Sequence, residues 1–155
     1  MMKGIKWGAN VSDFPDLVFM GVVDGGKKIY RREGERMNIV EADVVVLYGF
    51  FKHRLEDVQI HFRSLANFQK LKEKWFRLYG PGCQANRSKE TYHWNGKELF
   101  VFLTYDELSG KGAAGCTYVP IYRQRHQMRR NLEDFKGMVE KFKMVKKEVF
   151  HPIRR

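Results

Sequence analysis

The alternation of apolar and polar positions opens with strands. Leu17–Val23 is apolar and rich in β-branched residues, Asp24-Gly25-Gly26 is a turn, and 27–32 resumes the extended pattern. This spacing predicts a hairpin, which Gly34 ends. Residues 42–51 (Ala-Asp-Val-Val-Val-Leu-Tyr-Gly-Phe-Phe) are too uniformly β-branched and aromatic for a surface helix and read as a central strand. After the turn Lys52-His53-Arg54, Val58, Ile60 and Phe62 alternate with Gln59, His61 and Arg63. That is the period of a half-buried antiparallel strand.

The period then changes. Ser64 is placed to cap a helix whose stripe, Leu65, Phe68, Leu71, Trp75 and Leu78, advances in steps of three, three, four and three. Tyr79-Gly80-Pro81-Gly82 stops it. A polar loop over 83–89 leads to a second hairpin, with Thr91-Tyr92-His93-Trp94 and 97–105 flanking Asn95-Gly96. Leu99 to Leu103 is apolar on both faces and is expected mid-sheet. The small residues of 107–115 predict a mobile loop. Residues 116–122 then predict a last strand near an edge, because Pro120 cannot donate to a ladder. From Gln124 to about Lys147 a long amphipathic helix follows, its stripe Met128, Leu132, Phe135, Val139 and Phe142 in steps of four and three. His151-Pro152 ends it.

This order predicts an α+β domain: an antiparallel sheet of about six to seven strands in two βββα-like halves, packed by two helices on one face. The core is expected over 1–122. A basic amphipathic helix and tail is expected over 123–155, packed on the same domain.

Composition narrows the class. The chain has 155 residues, 43% of them apolar and 14% aromatic, which excludes a disordered chain. Mean hydropathy is −0.52, and no apolar run approaches the roughly 18–20 residues of a transmembrane helix. The start, Met1-Met2-Lys3-Gly4, lacks an apolar leader, so a cytoplasmic location is expected, with a periplasmic or exported one as the alternative if a leader has been removed. Cys83 and Cys116 are too few for a zinc site and read as two free thiols, a single disulfide being the alternative in an exported chain.

Tempting motifs fail on context. Residues 110–115 (Gly-Lys-Gly-Ala-Ala-Gly) match a dinucleotide-binding fingerprint, but no helix follows. Residues 21–28 are one residue short of a phosphate-binding loop and continue as a strand. His53, His61, His93, His126 and His151 show no ligand spacing, no serine sits in a nucleophile elbow, and Asp106-Glu107 reads as solvated. No catalytic residue, metal or cofactor is assigned.

Charge is what remains. Residues 122–155 hold 11 basic and 4 acidic residues, a net of +7, whereas the other 121 hold 18 and 14, a net of +4. The candidate surface for an anionic partner is therefore Arg123, Arg125, Arg129, Arg130, Lys136, Lys143 and Lys147. The leading expectation is a non-enzymatic binding or protein-interaction domain that engages an acidic protein or anionic surface. The alternatives are nucleic-acid binding through the same face, self-association along the helix stripe, and an enzyme whose pocket is not visible in sequence.

Several landmarks recur in a recognisable order. They are Gly4-Ile5-Lys6-Trp7-Gly8, Tyr48-Gly49-Phe50, Asn67-Phe68-Gln69-Lys70-Leu71, Leu78-Tyr79-Gly80-Pro81-Gly82 and Tyr92-His93-Trp94. From Gly4 to Tyr122 the chain resembles a group of small, uncharacterised bacterial proteins, often made with an export leader. The resemblance implies a shared structural core and no active site. The chain departs from the group in lacking the leader and in carrying the basic helix after Tyr122.

Overall fold

The computed structural model describes residues 5–32 and 44–150, with side chains up to Glu140 apart from Asp24 and Phe135. The expected break at Gly34, the start of the strand at Ala42 and the stop at His151-Pro152 lie outside the described residues. Seven strands form one antiparallel sheet: β1 (Leu17–Val23), β2 (Lys27–Arg32), β3 (Val45–Phe51), β4 (Arg54–Arg63), β5 (Glu90–Asn95), β6 (Leu99–Asp106) and β7 (Lys111–Tyr118). Helix α1 (Leu65–Tyr79) follows β4, and α2 (Val119–Phe150) follows β7. The spatial order is β1-β2-β3-β4-β7-β6-β5, so two meanders meet at the antiparallel β4–β7 pair. Both helices pack on this sheet, giving the expected α+β architecture.

One face of the sheet makes the main core. Tyr48, Val58, Cys116 and Val101 follow one another across β3, β4, β7 and β6, and Val46, Ile60, Ala114 and Leu103 form the next row. All eight are buried. Phe68, Leu71 and Trp75 of α1 close over this face, while Leu65 and Leu78 at the helix ends stay exposed. Each fully buried side chain of this size contributes roughly 1.5–3 kcal/mol. Ser64 caps α1 by accepting the Asn67 N–H at 3.3 Å, and Gly80 ends it at φ 79°. Phe14, from the segment ahead of β1, sets its ring against Tyr48 and Phe50 at the other end of the same face.

Two expectations are corrected here. The small-residue stretch is a central strand: β7 runs Lys111–Tyr118 and pairs with β4 on one side and β6 on the other. Its glycines are there for room. A Cβ on Gly112 would overlap the Phe62 ring, and one on Gly115 would meet the Val58 carbonyl oxygen at 2.7 Å and the Phe102 ring at 2.8 Å. Large neighbours cross this strand because it is thin. Pro120, expected to mark an edge strand, instead sits in the first turn of α2, where its missing N–H has no helical partner to lose.

The edges lie elsewhere. On the β5 edge, Cys83 exchanges both backbone hydrogen bonds with His93, at 2.9 and 3.0 Å. On the β1 edge Phe19, Met20, Val22 and Val23 are exposed.

Candidate functional site

The charged candidates all sit on α2, so the site begins with how this helix is seated. Phe50 pairs with Leu55 and Gly49 with Asp57, which leaves Glu56 as an extra residue in β4. A bulge of this kind re-aims a side chain. Here it delivers a carboxylate to α2. Arg125 Nε donates to Glu56 Oε2 at 2.8 Å, and its Nη2 donates to Oε1 at 2.8 Å. Glu56 is fully buried and Arg125 is 7% exposed. Burial opposes the charge on Arg125, but the hydrogen bonds and charge of Glu56, helped by Asp57, hold its pKa above the ordinary guanidinium value.

A second buried pair stands beside the first. Lys27 Nζ donates to Asp57 Oδ2 at 2.5 Å, and both residues are buried. The space they occupy is the space Gly49 leaves, since a Cβ there would overlap the Asp57 carboxylate. Asp57 alternates with Val58 along β4, so this network lies away from the main core face. Phe51 and Ile121 are also buried outside the main core cluster. The four charges balance in two pairs, an arrangement that anchors a helix and leaves no free charge for a ligand.

Beyond this seat most of the described side chains of α2 are exposed. At 100° per residue, Ile121, Arg125, Met128, Leu132, Phe135 and Val139 fall on one stripe, in steps of four, three, four, three and four. Its first two members are buried, yet Met128 is 40% and Leu132 48% exposed, and Met138 beside the stripe is 62% exposed. Among the described side chains, the expectation that the stripe packs along the sheet therefore holds only for the root of the helix; those of Phe135 and Phe142 lie outside the described residues.

The structure sorts the seven candidate cations. Arg123, Arg129, Arg130 and Lys136 are exposed on α2. Arg129 Nε donates to Glu133 Oε1 at 3.2 Å, an exposed i,i+4 pair worth only about 0.3–0.5 kcal/mol. Arg123 and Arg130 project opposite the stripe, while Arg129 and Lys136 border it. Arg125 is withdrawn from the surface: its guanidinium is committed to Glu56 and buried. Lys143 and Lys147 lie on α2, with side chains outside the described residues. The missed signal was in the sequence, since stepping the stripe back by three from Met128 lands on Arg125.

Elsewhere the chemistry is structural. Lys72 on α1 sets its ammonium 4.8 Å from the Tyr92 ring centroid and 3.5 Å from Glu90 Oε2, and its hydrogen bonding with Tyr92, working against burial, raises its pKa. His126 lies 4.1 Å from the Tyr122 ring, and burial, together with Arg125, lowers its pKa. Both cysteines are free, Cys83 exposed and Cys116 buried. Among the described residues no group of His, Cys, Asp or Glu could hold a metal ion, and no helix is long and apolar enough to cross a membrane. Comparison of the chain with protein-family models, with known proteins and with solved structures gives no match.

Proposed function

We propose that the chain is a protein-interaction domain that presents α2 as a basic, amphipathic arm to an acidic protein partner. One observation carries this reading. The stripe that is buried at Ile121 and Arg125 continues as exposed Met128 and Leu132, bordered by the cations Arg129 and Lys136. A partner that matches it has an apolar groove with an acidic rim, the helix-in-groove mode of recognition. Nucleic acid fits less well, because a phosphate backbone satisfies the arginines and leaves the stripe wet. The exposed methionines favour a groove too, since their flexible thioethers adapt to apolar surfaces.

The test uses a model receptor, calcium-loaded calmodulin, whose acidic lobes hold Met-rich grooves. The full chain should bind it with a dissociation constant on the order of micromolar, about −8 kcal/mol. Leu132→Asp or Met138→Asp should weaken binding by at least about tenfold. Retention on heparin or DNA that outcompetes calmodulin and ignores these two substitutions would replace the reading with nucleic-acid binding. Attachment only to anionic phospholipid vesicles would also overturn it.

A further inference from the structure

A second feature lies at the turn end of the sheet, where the β1–β2 and β3–β4 turns meet α2. A cavity of about 220 Å³ is floored by Tyr30 and Phe50 and walled by Met128 of α2. Lys28, Lys52 and His53 line it. None of its described lining residues is acidic. The register explains the floor. Lys28 pairs with Phe50 and Tyr30 with Tyr48, which places Lys28, Tyr30 and Phe50 on one face of neighbouring strands. The Tyr30 and Phe50 rings meet edge to face at 5.4 Å.

The turn that supplies Lys52 and His53 is unusual. Lys52 and His53 are both left-handed, at φ 47° and 66°, as a two-residue type I′ hairpin requires. Asn-Gly is the favoured pair for these positions; His is among the side chains that tolerate positive φ, whereas Lys52 adopts it against its preference. The geometry is nevertheless held. Val11 N–H donates to the His53 carbonyl at 2.8 Å, and the Lys52 ammonium lies 5.6 Å from the Phe51 ring centroid. Strained backbone that the surroundings over-determine is commonest where a side chain has a task.

We infer that this cavity binds a small phosphate monoester with an aromatic or short apolar body, the phosphate between Lys28, Lys52 and His53 and the body against Tyr30 and Phe50. Two ammonium groups match a phosphate dianion, and charge-assisted bonds to it are the strong kind. The volume lies below the roughly 300–1,000 Å³ of drug-sized sites and suits a single ring. Met128 is shared between this cavity and the stripe proposed for a partner, while the phosphate-facing Lys28, Lys52 and His53 belong to the cavity.

The probes are phenyl phosphate, inorganic phosphate and benzyl alcohol, titrated into the full ¹⁵N-labelled chain. Phenyl phosphate should give saturable shifts at the amides of Gly25, Gly26 and Lys52, with inorganic phosphate weaker and benzyl alcohol without effect. Lys28→Gln and Lys52→Gln should each weaken binding by about tenfold, the loss of one charge-assisted contact. Lys97→Gln, which removes an exposed charge outside the cavity, should leave binding unchanged. Joint replacement of Lys52→Asn and His53→Gly should raise the thermal midpoint, since the turn is relieved, while abolishing binding. Absence of saturation by phenyl phosphate overturns the inference. So do equal affinities for the Lys28→Gln and Lys97→Gln variants, or binding that survives the relieved turn.

Discussion

Arg125 closes a two-pronged hydrogen bond on Glu56, two residues that stand 69 positions apart in the chain. One lies in the second turn of α2, and the other is the bulged residue of β4. Together they fasten the root of α2 to the sheet.

Breaking this pair should be costly. Arg125→Ala leaves the Glu56 carboxylate buried without its partner, so a loss of about 3–5 kcal/mol is expected from urea unfolding. Joint replacement of Arg125→Met and Glu56→Leu removes both charges and keeps the volume. It should cost clearly less than either single change. If the two single changes and the double change are equally mild, the pair is not what seats the helix.

Truncation locates the end of the folded unit. The expected boundary after Tyr122 falls inside α2, a continuous helix from Val119. A chain ending at Arg130 should retain the sharp near-ultraviolet circular dichroism of a packed core, since Ile121 and Arg125 remain. Ending at Tyr122 removes Arg125 and should lower the midpoint of thermal unfolding markedly. Equal midpoints for the two truncations would show that α2 contributes nothing to the core.

Gly112 should tolerate no side chain while Phe62 is present. Gly112→Ala places a methyl group inside the Phe62 ring, an overpacking loss of about 1–3 kcal/mol. Phe62→Leu in the same chain should recover part of it, a non-additivity that a double-mutant cycle measures directly.

The thiols should react in order, and stability should fall in base. Burial pushes the Cys116 thiol up to about 11, against the opposing pull of its hydrogen bond with Tyr79. Burial, with Cys116 alongside, pushes the Tyr79 hydroxyl up to about 12. Iodoacetamide at neutral pH should therefore modify Cys83 alone until the chain unfolds. Both native pKa values lie above the unfolded values, near 9 and 10, so the protons are held more tightly in the folded state. Below about pH 9 this effect on stability is fully present. It is lost as the pH rises from about 9 to 12, because the unfolded chain releases its protons first. Urea midpoints measured from pH 7 to 11 should be flat at first and then decline. A midpoint that rises above pH 9 would contradict the assignment.

Local periodicity was enough to read most of the fold. The β2–β4 meander, the capped helix α1 and the β5–β6 hairpin each repeat a pattern over neighbouring residues, and a pattern of that kind needs no distant partner. The same holds for the position of the excess charge. Residues 111–115 failed this reading because small residues signal a loop only when nothing large packs over them. Phe62 and Phe102, from other strands, reverse that meaning.

The candidate surface divided in the same way. Arg123, Arg129, Arg130 and Lys136 are exposed because helical geometry turns them outward, which sequence spacing already implied. Arg125 shares their chemistry but not their fate. A guanidinium becomes an anchor only when a carboxylate is aimed at it, and Glu56 reaches that position through a bulge set by the pairing of β3 with β4. The cavity beside it depends likewise on two turns and a helix meeting in space. Spacing along a chain orders side chains around one element. Which elements then face each other is decided by strand register and packing, and these join residues that are far apart in sequence.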